Sequence, residues 1–123
     1  MNESGYTRAV NKKLPKTVFA WKINARYAGG VPDCWYSSPD GDMWVEFKYL
    51  PKLPKKLTAK LSALQKEWLN SRFDEGRKVA VIVGSPEGAI IIQDKKWNKQ
   101  QVVKTPLNKA EVADWINSTL GTK

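Results

Sequence analysis

Apolar residues along the chain gather into short runs separated by turn chemistry. "TVFAWKI" at 17–23, "DCWYSS" at 33–38 and "MWVEFKYL" at 43–50 mix β-branched and aromatic residues, which predicts three strands. "KVAVIVG" at 78–84 is continuously apolar and predicts a strand buried on both faces; "SPEG" turns the chain and "AIIIQD" returns it as a further strand. Residues 2–13 predict a short helix that starts near Asn2 or Ser4 and is ended by Pro15. A second helix follows the proline break "PKLPKK". Ser62 and Gln65 form its capping box, Leu64, Trp68, Leu69 and Phe73 its apolar stripe, and Gly76 its end. Asn108 and Glu111 cap a last helix whose Val112, Trp115, Ile116 and Leu120 face inward. The order α-β-β-β-α-β-β-α predicts an α/β (α+β) domain with a central mixed sheet flanked by helices.

The 123 residues suit a single domain, 1–123, with one modest core. No run is long and apolar enough for a membrane span, and the N-terminal stretch has no apolar core of a signal peptide. A single cysteine, Cys34, offers no internal disulfide and suits a reducing cytoplasm. Charge changes the picture more. Lys and Arg number 21 against 12 Asp and Glu, a formal net charge of +9, which favours a polyanionic partner such as nucleic acid. Histidine is absent, so Ser-His-Asp and Cys-His sites, His-based nuclease chemistry and His-ligated zinc are all excluded. Catalysis would then rest on carboxylates, Lys, Arg, Tyr, Ser or a metal held by oxygen.

The hairpin between the second and third strands brings such groups together. With Asp40-Gly41 as its two-residue turn, Asp33 faces Lys48 and Trp35 faces Glu46. Asp33, Trp35, Glu46 and Lys48 then share one face, while Cys34, Tyr36, Val45, Phe47 and Tyr49 occupy the other. Asp33 and Glu46 become diagonal neighbours about 7–8 Å apart at the backbone. Two carboxylates, a backbone carbonyl and water suit a hard divalent cation such as Mg²⁺ or Mn²⁺. Lys48 beside them could orient a water and offset phosphate charge. The plainer alternative is a cross-strand ion pair between Lys48 and Asp33.

"PD" at 32–33, twelve intervening residues and "EFK" at 46–48 match the short PD-(D/E)xK nuclease signature. "GGVPDCWY" and "LSALQKEWLNSRFDEGRKVAVIVG" resemble the VRR-NUC branch of that superfamily, over roughly residues 1–94. The resemblance implies a restriction-endonuclease-like αβββαβ core, extended here by a strand and a C-terminal helix. It implies a metal-dependent phosphodiesterase acting on DNA, with Asp33, Glu46 and the carbonyl of Phe47 as metal ligands. Lys48 would position the nucleophilic water, Gln65 would support the site from its helix, and Glu3 would be the acidic residue of the first helix. Stand-alone members, often from phages, resemble homodimeric junction-resolving enzymes.

Other polar residues carry plainer readings. Asp40 and Asp42 belong to the turn, Glu67 to a solvated helix face, and Gln65 could simply cap its helix. Lys52, Lys55, Lys56 and Lys60 form a basic run beside the site, and Lys22 and Arg26 precede it; all six are candidates for phosphate contact. Trp21, Trp68 and Trp115 fit core stripes. Trp35 packs under the site or stacks on a flipped base, with packing expected. The combined reading is a Mg²⁺-dependent endonuclease for branched or structured DNA, a homodimer because a two-fold substrate calls for two cuts. A non-catalytic nucleic-acid-binding protein of the same fold and a factor that binds a host enzyme are the alternatives.

Overall fold

The structure, a computed structural model, describes residues 1–23 and 29–122. Arg26 and Tyr27 lie outside the described residues. The elements are α1 (Glu3–Asn11), β1 (Phe19–Lys22), β2 (Cys34–Ser38), β3 (Gly41–Tyr49), β4 (Lys56–Leu57), α2 (Ala63–Asp74), β5 (Val79–Ser85), β6 (Gly88–Ile92), a 3-10 turn (Lys96–Asn98), β7 (Gln101–Val102) and α3 (Lys109–Leu120). Five strands form one sheet in the order β1-β2-β3-β5-β6. Among the described residues only β3 and β5 pair in parallel, joined by a crossover through α2; the other neighbours in this sheet are antiparallel. The architecture is the mixed sheet with flanking helices that the element order predicts. No helix among the described residues is long and apolar enough to cross a membrane.

Alternation along the strands feeds two cores. Cys34, Tyr36, Met43, Val45, Phe47 and Ile82 project to one face, where Tyr6 and Val10 of α1 and Val112, Ile116 and Leu120 of α3 cover them. Val79, Val81 and Val83 project to the other and pack against Leu69 of α2, Trp97, Leu53 and Leu57. Strand β5 is buried along its whole length, as its unbroken apolar run predicts. Local chemistry ends the helices where expected. Asn2 caps α1, Ser62 and Gln65 form a capping box on α2, and Asn108 and Glu111 form one on α3. Gly76 adopts φ +82°, the left-handed conformation that stops α2.

Two expectations need correction. The β2–β3 turn is Pro39-Asp40, not Asp40-Gly41, because the ladder closes at Ser38↔Gly41. Proline is suited to the first corner of such a turn, where its φ is pre-set. Gly41 is not in a positive-φ conformation; it lies so close to the end of α3 that a Cβ there would meet the Leu120 carbonyl at 2.6 Å. The facing pairs therefore shift by two: Asp33 comes opposite Glu46 rather than Lys48, and Trp35 pairs with Trp44. A shift of two keeps every side chain on its expected face. Second, Leu64 is 56% and Trp21 52% exposed, so neither joins a core stripe. Trp68 and Trp115 do pack against the two cores.

The segment between β6 and α3, for which the sequence pattern predicts no element, packs against the second core. Its 3-10 turn drives Trp97 fully into the second core, where the indole N–H donates to Asn70 Oδ1 at 2.9 Å. The short β4–β7 pairing holds this segment against the chain that precedes α2. We expect Trp97→Ala to cost about 3–5 kcal/mol by chemical denaturation, through the cavity left behind.

Candidate active site

The end of the β2–β3 ladder creates the site. Pairing stops at Cys34↔Val45, while β3 continues to Tyr49. Beyond that point the Phe47 N–H has no strand partner and donates instead to Asp33 Oδ2 at 3.0 Å. The N–H and C=O of one strand residue point to the same side, so the Phe47 carbonyl also faces the gap that Asp33 fills. Asp33 is itself held from β1, since its carbonyl accepts from the Ile23 N–H at 2.7 Å.

Glu46 stands opposite Asp33 on the α2 face and is only 3% exposed. Its Oε2 accepts from Gln65 Nε2 at 3.0 Å and lies 3.3 Å from Lys48 Nζ. The ion pair of Lys48 is thus with Glu46, not with Asp33. Gln65 bonds in two directions. Its Oε1 accepts from the Ser62 N–H and closes the capping box, which leaves its amide N–H for Glu46. The same carbonyl–amide side chain fixes the start of α2 and the rotamer of the carboxylate.

The other oxygen, Glu46 Oε1, is buried and has no hydrogen-bond partner. Burial, then the facing Asp33 charge, push the Glu46 pKa up to about 8 against the pull of Lys48. Glu3, in the first turn of α1, reaches the same end of the sheet. Burial and the Asp33 carboxylate raise its pKa, while Lys48 and Lys22 draw it down. No cluster of three or more His, Cys, Asp or Glu side chains in metal-holding geometry occurs among the described residues. The pair Asp33–Glu46 nevertheless fits a hard divalent cation. All its donors are oxygen, the Phe47 carbonyl adds a third, and a cation would satisfy the orphaned Oε1.

The basic candidates divide. Lys60 lines a cleft of about 400 Å³ together with Glu3, Lys48, Tyr49 and Thr58. Lys52, Lys55 and Lys56 are exposed along the segment that leads to it. Lys22 projects towards α1, where its Nζ donates to Ser4 Oγ at 2.6 Å. Among the aromatics, sequence reasoning missed Trp44, which pairs with Trp35 at a centroid distance of 6.0 Å and with Trp68 at 5.1 Å. Its place two residues before Glu46, on the same face, was the available signal.

The raised Glu46 pKa predicts a pH dependence. The folded chain keeps this proton up to about pH 8, while an unfolded glutamate releases it near the ordinary 4.5. Stability from this group is therefore greatest at low pH and falls as pH rises from about 4.5 to 8. In metal-free buffer, thermal melts across that window should show a downward slope that Glu46→Gln removes. Calorimetric Mg²⁺ or Mn²⁺ binding should release a proton and tighten towards pH 8.

No protein-family model matches the chain, and no curated protein is significantly similar to it. Among solved structures, the fold is similar to that of Hjc, a Holliday junction resolvase from the archaeal hyperthermophile Archaeoglobus fulgidus. The TM-score is 0.59 at 18% identity, over 92% of this chain and 96% of that one. The chain therefore shares the fold of that protein.

Proposed function

We propose that the chain is a metal-dependent endonuclease of the PD-(D/E)xK superfamily, similar to its VRR-NUC branch, that hydrolyses phosphodiester bonds in branched DNA. The observation that carries this reading is the buried Glu46 carboxylate, with one oxygen unpartnered, facing Asp33 and flanked by Lys48. A structural ion pair has no use for a second carboxylate that raises its pKa. The resolvase-like fold supports junction DNA as the substrate class.

Asp33, Glu46 and the Phe47 carbonyl would hold the cation, with Gln65 fixing Glu46 through its amide N–H. Once bound, Mg²⁺ or Mn²⁺ supplies Lewis-acid polarisation of the phosphate and makes water more acidic. Lys48 orients the attacking water in line with the scissile bond and offsets phosphate charge. Glu3 closes the mouth of the site. Lys60, with Lys52, Lys55, Lys56 and Lys22, contacts flanking phosphates, and Arg26 is a further candidate from the sequence alone. Such contacts position DNA without reading bases, which favours selection by structure over sequence. A two-fold junction calls for two cuts, so two copies act together as a homodimer on it. The setting is the cytoplasm of a bacterial or phage-infected cell.

The test is cleavage of a labelled four-way junction, linear duplex, single-stranded DNA and structured RNA in Mg²⁺, Mn²⁺ or EDTA. The expected outcome is metal-dependent cutting of the junction. Asp33→Ala, Glu46→Ala and Lys48→Ala should each lower it by about a hundredfold or more with the fold retained by circular dichroism. Junction binding without cutting in any metal would favour a non-catalytic binding protein instead.

A further inference from the structure

The α2 face of the sheet is only half covered. Helix α2 packs over β3 and β5, whereas Phe19 and Trp21 on β1 remain 59% and 52% exposed. Across the uncovered strands runs a row of aromatic rings. Trp21 meets Trp35 at 6.4 Å, Trp35 meets Trp44 at 6.0 Å, and Trp44 meets Trp68 at 5.1 Å. Trp21, Trp35 and Trp44 floor a cleft of about 510 Å³, with Arg77 and Lys78 on its wall and Asp42 at its rim. Strand pairing puts the three indoles in line, through Trp21↔Trp35 and Trp35↔Trp44. Trp35 is two residues from Asp33 and Trp44 two residues from Glu46, so these two rings stand on the carboxylates' face about 7 Å along their strands, and the cleft extends from them towards Asp42 and Arg77.

We propose that this cleft receives unpaired nucleobases of the strand being cut, stacked on Trp21 with their phosphates turned to Arg77. The inference rests on the nucleic-acid reading of the neighbouring site and adds to it a preference for unstacked or single-stranded DNA at one side of the scissile bond. Aromatic side chains set on adjacent strands make a stacking platform that accepts any base, because every base has a π face. The volume lies within the range of small-molecule sites. Charge decides between the two occupants such a face could take. A chain of net charge +9 attracts a polyanion. A two-fold contact with a second copy would set Arg77 and Lys78 against the same basic cleft of the partner, with one carboxylate, Asp42, already engaged by Ser37 Oγ at 2.7 Å. Arg77 keeps an exposed side chain although its Nε contacts Glu75, and Lys78 is drawn partly aside by the Leu120 carbonyl. Arg77 is therefore the cation that meets the backbone.

The experiment measures binding of a short oligothymidylate in EDTA, where no cleavage can intervene. Trp21→Ala should weaken it by about tenfold or more, and Trp21→Phe should keep most of the affinity while losing part of the indole fluorescence quenching. Arg77→Glu, on an exposed side chain, should weaken binding and make its salt dependence shallower; it decides the matter if Trp21→Ala fails to fold. Unchanged affinity in both Trp21→Ala and Arg77→Glu would overturn the proposal. So would a fall in solution mass of the DNA-free protein on Trp21→Ala, since the face would then be a contact between copies. Metal-dependent junction cutting that persists alongside unchanged oligothymidylate binding removes the stacking cleft but not the nuclease. Oligothymidylate binding that depends on Trp21 in a protein that never cuts does the reverse.

Discussion

The parallel pairing of β3 with β5, from Trp44↔Val79 to Tyr49↔Gly84, fixes where everything else can go. Because β5 is buried on both faces, it anchors β3 at the centre of the sheet. Strand β3 then sends Met43, Val45 and Phe47 into one core, and Trp44, Glu46 and Lys48 to the face shared with α2. The hydrophobic side of this alternation stabilises the strand; the polar side is carried along by geometry. Glu46 is buried because its neighbour on β5 is Val81, beside the apolar second core.

That burial is the electrostatic centre of the candidate site. An ionised carboxylate so placed costs free energy unless it is paired and hydrogen-bonded. Lys48 and Gln65 satisfy one oxygen only. Asp33 opposes ionisation from across the strand gap, and Glu3 adds to it. The local field thus disfavours the fully charged pair in the absence of a cation and favours it with one. The site is a place where the fold stores an unmet demand for positive charge, in a protein that otherwise carries an excess of it.

Much of the fold was legible because its signals are local. The helix caps, the strand runs and the order of elements follow from short patterns at Asn2, Ser62–Gln65, Asn108–Glu111 and residues 78–84. The face shared by Asp33, Glu46 and Lys48 was legible too, since it depends only on odd or even position along a strand. The turn was not, because Pro39-Asp40 and Asp40-Gly41 both carry good turn chemistry and the end of α3 at Leu120 decides between them. Trp97 was hidden for a similar reason. Residues 93–103 show no periodicity, and the burial of the indole depends on Asn70 of α2 and on the β4–β7 pairing. The partner of Lys48 and the double use of Gln65 depend on rotamers and on the approach of α2, which no spacing encodes.

The hairpin has a consequence for how such a site can vary. A flush two-residue turn leaves an even number of residues between facing positions, and here twelve separate Asp33 from Glu46. Insertions or deletions in pairs lengthen or shorten both strands and leave the two carboxylates on one side. A single inserted or deleted residue sends one of them through the sheet into the core with Cys34 and Val45, unless a bulge absorbs it. The spacing of the motif is therefore quantised in steps of two, and tolerance to length change in this loop is a matter of parity before it is a matter of loop size.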